Sequence, residues 1–306
     1  MEVGAEAMLK SLDPYSEYIP SRELDQFRSS ITGKYFGIGI SVSMDKDELV
    51  IDKVYEKGPS DLAGLKPSDR ILEIDGKSIK GQSLNQVSNQ IRGAENSALK
   101  LTIKRIGVSE NLEIKLSRGK IVVDNTPYSA ILDQAIAYVA LTTFSEDAGS
   151  NLRSCLDALA EQAPIQAVIL DLRGNTGGLL KEAINVASIF LEEGTNVVQI
   201  KGRDKKNHQY YKSSGIPFDS EIKLSILIDE RSASASEIVA GAIQDMDRGV
   251  IIGEKSFGKG LVQNTKNLSF GGKVKLTTAR YFIPSGRCIQ SLKYKDGQAV
   301  QLNDSL

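Results

Sequence analysis

The sequence predicts an α/β protein that carries a second, smaller unit of mainly β structure. Two observations support this. From Lys120 onward, apolar runs alternate with amphipathic helical stretches, the pattern of βαβ units in a mostly parallel sheet with helices on its faces. Between Thr32 and Arg118, short alternating segments separated by Gly, Pro and Asp-Gly signals enclose a single short helix. With 306 residues the chain is long enough for both units.

Composition narrows the function. The chain is 41% hydrophobic and 25% charged with a net charge of −1, which argues against a general nucleic-acid binder. No apolar run approaches the roughly 18 residues that span a bilayer. "MEVGAEAMLKSLDPY" lacks the basic start and apolar middle of a signal peptide. The abrupt ends predict a trimmed piece of a longer chain. Cys155 and Cys288 are far apart without C-x-x-C spacing, so two buried structural thiols are expected rather than a zinc site or a disulfide. With one histidine, a metal centre would rest on carboxylates alone, and no loop has that spacing. No metal or cofactor is expected.

Residues 1–31 read as a helical segment that packs on the larger unit and breaks at "LDPYSEYIP", an ordered connector. Residues 32–118 form the small unit. "YFGIGISVSM" is a Gly-x-Gly loop entering a strand, "ELVIDKVY" a second strand, and Asp75-Gly76 a hairpin turn. "SLNQVSNQIRG" is a helix stopped by Gly93, with Leu84, Val87 and Ile91 on one face. "ALKLTIKRIG" and "ENLEIKLSRG" are further strands. In residues 119–306, "IAYVALTTF", "PIQAVILDLRG", "IKLSILIDE" and "RGVIIGE" read as strands. "AGSNLRSCLDALAEQ", "LLKEAINVASIFLEEG" and "SASASEIVAGAIQDM" read as helices.

Gly37 and Gly39, with Phe36, Ile38 and Ile40 around them, let successive backbone N–H groups turn toward one point, which suits a carboxylate. The following strand, if it is an edge, would take a peptide as an added strand. An apolar last residue would then sit between Ile38, Ile40 and the helix face of Leu84, Val87 and Ile91. The plainer reading is a tight turn and core residues. "GPSDLAGLKPSDRILEIDGKSI" resembles bacterial PDZ domains, which implies a peptide-binding groove of this kind. Arg92 ends the helix. It is either a charge complementing the helix dipole or a contact to the larger unit.

Three serines, Ser232, Ser234 and Ser236, sit where the strand "LSILID" gives way to a helix, at the sheet edge where open α/β folds keep their sites. At least one is expected simply to cap the helix. A serine nucleophile needs a base. His208, in the polar run "GRDKKNHQYYKSSG", reads as a solvated surface residue. A lysine serves only if burial lowers its pKa. In "IIGEKSFGKGLVQ", Lys255 looks solvated, whereas Lys259 lies between Gly258 and Gly260, with Phe257 and Leu261 to exclude water. If that segment continues as a strand, Lys259, Leu261 and Gln263 share a face, and Gln263 would hold the amine. An oxyanion needs two donors. One is the N–H after the nucleophile, and the other comes from the Gly-rich loop "DLRGNTGGLL", through Gly177 or Gly178, with Asp171 and Arg173 supporting the loop. "GNTGG" matches neither nucleotide-binding glycine pattern.

"LDLRGNTGGLL", "DERSASASEIVAGA", "GEKSFGKGLVQ" and "KLTTARYFIPSGRCIQ", in that order behind the PDZ-like unit, resemble the carboxyl-terminal processing peptidases, or tail-specific proteases. The resemblance covers about residues 10–295. It implies a crotonase/ClpP-like α/β protease core with an inserted PDZ domain. It also implies a serine endopeptidase that binds the apolar C-termini of protein substrates. By motif position the nucleophile is Ser234, the base Lys259 and the supporting residue Gln263. Ala235 and a glycine of the Gly-Gly loop, Gly177 in preference to Gly178, supply the oxyanion donors. The resemblance further implies an extracytoplasmic setting, a homodimer built with a C-terminal region, and membrane proximity through a preceding N-terminal segment. Before "PSG" the family often has an aromatic and a threonine where this chain has Phe282 and Ile283, and Cys288 stands where a serine is common. Two rival readings are a catalytically inactive PDZ-bearing scaffold and a crotonase-type hydratase or isomerase. The first has no need of the Ser234–Lys259–Gln263 set, and the second has no need of the PDZ unit.

Overall fold

The computed structural model describes residues 2–46, 48–133, 135–295 and 298–301, with backbone alone for Asn207 and residues 292–301. It divides into two compact units. One is Lys34–Val123, and the other joins Met1–Gly33 to Asp124–Leu306.

The smaller unit is an antiparallel sheet accompanied by the helix Leu84–Ile91 and the one-turn helix Pro59–Leu62. Its strands lie in the order Ile40–Asp45, Glu48–Val54, Arg70–Ile74, Ala98–Lys104, Leu112–Ser117, so Ile40–Asp45 is an edge. Inward residues such as Ile51, Leu101 and Ile103 are fully buried, and Val87 of the helix Leu84–Ile91 packs against them. Ser83 and Gln86 cap that helix reciprocally, Gln86 Oε1 accepting the Ser83 N–H at 2.8 Å. Its other end is closed by buried Arg118, whose guanidinium donates to the carbonyls of Gln90 and Ile91. Asp75 and Gly76 both adopt positive φ, as a two-residue hairpin turn of the primed kind requires.

Among the described residues the larger unit contains two large sheets and a two-stranded ribbon, Leu292–Lys295 with Gln298–Gln301. In the first, the order is Tyr128–Leu132, Ile136–Ala140, Ala167–Asp171, Lys223–Ile228, Val250–Gly253. The last four strands run parallel, and Tyr128–Leu132 is antiparallel to its neighbour. The helices Ala148–Ala160, Leu180–Ser188 and Ala235–Asp245 bury Leu152, Leu156, Val186, Ile238 and Val239 in the core shared with these strands. The second sheet is antiparallel and goes beyond the sequence reading. Glu17–Ile19, Lys273–Phe282, Asn196–Gly202 and Gln209–Lys212 lie in that order, and Leu261–Asn267 also pairs with Lys273–Phe282.

Two expectations need correcting. The N-terminal segment is not only helical. After the helix Glu2–Lys10 it forms the edge strand Glu17–Ile19, because Asp13 turns the chain by accepting the N–H groups of Tyr15 and Ser16. Cys288 is exposed rather than buried, since it lies in the turn after the strand Lys273–Phe282, while Cys155 is half-buried with its thiol 3.5 Å from Thr126 Oγ1. Among the described residues no helix is long and apolar enough to cross a membrane, and no cluster of three His, Cys, Asp or Glu is placed to hold a metal.

Candidate active site

The three serines have become chemically distinct. Ser232 and Ser236 are fully buried. Ser232 Oγ donates to the Leu172 carbonyl at 2.8 Å and accepts the Asp229 N–H at 2.9 Å. Ser236 Oγ donates to the Asn175 carbonyl at 2.8 Å. Both brace the turn. Ser234 is only half-buried and borders a cavity of about 1060 Å³. Its backbone is at φ 55°, ψ −108°, a strained strand-to-helix corner for a non-glycine residue. Strain of this kind persists where surrounding contacts over-determine it. Here the Ser234 N–H donates to the Glu237 carboxylate at 2.7 Å, and Gly177 is so close that a Cβ there would lie 2.9 Å from the Ser234 side chain.

Glu237 organises the site, and the sequence reading gave it no role. Its buried carboxylate also accepts Ser256 Oγ at 2.8 Å and the N–H groups of Gly258 at 2.6 Å and Lys259 at 2.8 Å. Burial pushes its pKa above the ordinary carboxylate range, against the pull of those donors. The missed signal was its place three residues after Ser234, the capping-box spacing.

Lys259 borders the same cavity as Ser234 and Gln263. It lies in the loop before the strand Leu261–Asn267, and a register shift between Val262 and Gln263 breaks the expected alternation. No hydrogen bond joins Gln263 to Lys259. The Gln263 amide reaches Thr277 Oγ1 at 3.5 Å instead. The glycines on either side are required by a neighbouring segment. A Cβ on Gly258 would lie 2.1 Å from Ser291 Oγ, and one on Gly260 2.2 Å from the Gln290 nitrogen. Phe257 does not cover the lysine, because half of its surface is exposed. The aromatic that does is Tyr15, whose ring centroid is 4.8 Å from Lys259 Nζ. Burial, and then the charge of Lys275, lower the Lys259 pKa from the ordinary lysine value, while Glu17 and Glu237 act in the opposite direction. Lys255 is exposed, and His208 is absent from the cavity wall.

The Gly-rich loop is tied to the serine turn by Asn175, which is fully buried. Its carbonyl accepts the Ala233 N–H, and its side chain donates to the Leu141 carbonyl at 2.7 Å. Asn175 Oδ1 accepts the Gly177 N–H at 2.9 Å. That corrects the preference for Gly177 as an oxyanion donor, because its N–H is already engaged. Gly178 is exposed to the cavity, and no hydrogen bond holds its N–H. Ala235 opens the helix Ala235–Asp245, where the first N–H groups lack intrahelical partners. Asp171 accepts both the backbone N–H and the guanidinium of Arg173, and the Tyr138 hydroxyl at 2.6 Å. These bonds stiffen the start of the loop.

In the smaller unit a hollow of about 60 Å³ runs between the edge strand and the helix, bordered by Ile38, Gly39, Ile40, Val42, Ser88 and Ile91. Gly39 turns at φ 77°. Leu84 and Val87 fall outside the lining, since Leu84 is partly exposed and Val87 faces the core. Phe36 is exposed, and Gly37 pairs with Gly119 in a two-stranded ribbon. The Arg92 guanidinium lies 4.8 Å from the Tyr35 ring centroid, a cation–π contact within this unit.

A strained serine, a half-buried lysine and a Gly-rich loop meet at the edge of a parallel sheet, in an α/β fold of the crotonase/ClpP-like class that carries a PDZ domain. The chain belongs to peptidase family S41: the family model matches residues 135–296, and a PDZ domain model matches residues 37–116. It is 38% identical over 295 residues to the carboxy-terminal-processing protease of Bartonella bacilliformis, covering 95% of this chain and 67% of that protein. It is 34% identical over 290 residues to a Staphylococcus aureus protein named "Probable CtpA-like serine protease", covering 94% of this chain and 57% of that protein. The match therefore spans 67% and 57% of these relatives' own lengths. Among solved structures it resembles the photosystem II D1 C-terminal processing protease, with 29% identity and a TM-score of 0.54 over 95% of this chain and 77% of that one. An S41 protease structure from Bacteroides fragilis shares the fold at 16% identity, with a TM-score of 0.60 over 96% of this chain and 81% of that one.

Proposed function

We propose that the chain is an endopeptidase that captures the C-terminal tail of a protein substrate in its PDZ groove and cleaves with a Ser234–Lys259 pair. The observation that carries this reading is the shared anchor. One carboxylate, Glu237, holds the N–H of Ser234 and the N–H of Lys259, and both residues open on one cavity. Lys259 as the neutral amine takes the Ser234 proton while Oγ attacks a peptide carbonyl. The N–H groups of Ala235 and Gly178 receive the oxyanion, each such donor being worth about 3–4 kcal/mol. The lysine returns the proton to the leaving amine, and water then releases the acyl-enzyme. Gln263 orients the lysine once substrate fills the cavity.

The tail is bound by strand addition to Ile40–Asp45, its carboxylate at the turn of Gly37–Gly39 and its apolar end against Ile40, Val42 and Ile91. Family relationship supports an extracytoplasmic setting and a homodimer. The test incubates the chain with an unstructured polypeptide ending in apolar residues, with its C-terminus free or amidated. Fragments from the free form, lost in Ser234→Ala, support the reading. Tail binding without fragments in the unmodified chain would instead make it a binding scaffold.

A further inference from the structure

The segment "LDPYSEYI" is built as a strap across the base, and the catalytic set proposed above gives it no role. Asp13 is buried. Its Oδ1 accepts the N–H groups of Tyr15 at 2.8 Å and Ser16 at 2.9 Å, and its Oδ2 accepts Ser16 Oγ at 2.8 Å. Ser16 Oγ in turn accepts the Thr277 N–H at 3.2 Å. Beyond it, Glu17, Tyr18 and Ile19 pair with Lys275, Val274 and Lys273. Gly272 completes the seat, since a Cβ there would lie 2.7 Å from the Ile19 carbonyl oxygen. The strap is therefore held at Asp13, at Thr277 and along three residues of strand, and Tyr15 is the side chain it sets against Lys259.

We infer that Tyr15 is a positioning residue for the reaction, its ring face holding the Lys259 amine in place and keeping water from it. This rests on the Ser234–Lys259 reading. The geometry is specific: the ring centroid lies 4.8 Å from Nζ, within the range of a cation–π contact. The two consequences for the lysine oppose each other. A ring face attracts the ammonium form, whereas exclusion of water favours the neutral amine. Burial heads the causes that lower the Lys259 pKa, and taking the ring away would admit water to the amine and favour its ammonium form. The charged groups around the amine are Lys275 and Glu17, paired with each other at 2.5 Å, and Glu237 beneath the loop. Lys275 adds to the effect of burial, and the two carboxylates oppose it.

The test measures kcat and KM of the full chain for a free-tailed unstructured polypeptide from neutral to alkaline pH. For Tyr15→Ala we expect kcat to fall on the order of tenfold at neutral pH with KM unchanged, the acid limb to move to higher pH, and kcat to recover in alkali. Tyr15→Phe, which keeps the ring face, is expected to restore the limb and most of kcat. An unshifted limb in Tyr15→Ala, or a uniform loss at every pH that Phe does not rescue, would overturn the inference. Lys259→Ala is the separating control. If it cleaves normally, the Ser–Lys reading itself fails. If it is inert while Tyr15→Ala behaves as the unmodified chain, only the role of Tyr15 fails.

Discussion

The Glu237 carboxylate accepts the backbone N–H of Lys259 at 2.8 Å, and that hydrogen bond fixes the base-bearing loop to the helix that begins beside Ser234. The proposed nucleophile and base belong to different segments of chain, so their separation depends on what joins those segments. Here the join is one buried side chain, Glu237, helped by the Phe257 N–H donating to the Ser232 carbonyl at 3.1 Å.

Glu237→Gln therefore tests the join without changing side-chain size. A carboxamide has one acceptor oxygen where the carboxylate has two, so at least one of the four donors is left unsatisfied. We expect a loss of about 1–3 kcal/mol in urea unfolding. Misplacement of the reacting groups should lower kcat on the order of a hundredfold. Normal kcat in the variant would show that the join does not govern catalysis.

The serines give a second contrast. Ser232→Ala and Ser236→Ala each leave buried groups unpaired and should cost about 1–3 kcal/mol of stability. Ser234→Ala should abolish cleavage and leave the unfolding midpoint nearly unchanged. Residual cleavage in Ser234→Ala at the original rate would remove it as the nucleophile.

The pH dependence follows from the depressed pKa of Lys259. As the proposed base, Lys259 would act only when neutral, so activity should rise with pH along a limb centred below the ordinary lysine value, near 10.4. Lys275→Met removes a like charge, stabilises the ammonium form, and should move the limb to higher pH. Glu17→Gln removes an opposite charge and should move it to lower pH. A pH–rate profile of each variant decides the matter, and a shift of both limbs in the same direction would contradict this electrostatic account.

In the PDZ groove, Ile91→Asp puts a charge where an apolar last residue and a carboxylate would meet. Titration of an apolar-tailed peptide into the Ser234→Ala chain should show affinity reduced by at least about tenfold, with a similar loss when the peptide is amidated. Equal affinity for free and amidated peptides would mean that the turn at Gly37–Gly39 does not read a chain end.

Much of this was legible in the sequence because it is local. Apolar runs bounded by turns marked the parallel strands, and the Asp75-Gly76 pair and Gly93 marked a hairpin and a helix end. The spacing of Gly258, Lys259 and Gly260 suggested close backbone approach, and the 289–291 segment supplies it. What escaped was non-local. The strands Asn196–Gly202 and Gln209–Lys212 are bound by pairing across the antiparallel sheet and carry little alternation of their own. Tyr15 lies 244 positions before the lysine it covers, and no periodicity connects them. Gly177 and Gly178 are equivalent as letters, and only the side chain of Asn175 tells them apart.

The pairing of Glu17 with Lys275 also sets an order of events during synthesis. The strand Glu17–Ile19 leaves the ribosome before the PDZ unit, but the strand that seats it is translated only after that unit and most of the larger one. At about 5–20 residues per second, that interval is roughly 10–50 s. Until it has elapsed, the strap has nothing to pair with and Lys259 has no cover. A nascent chain would thus carry its serine turn well before its base is finished. The proposed site would be completed last, by the return of a segment made long before it.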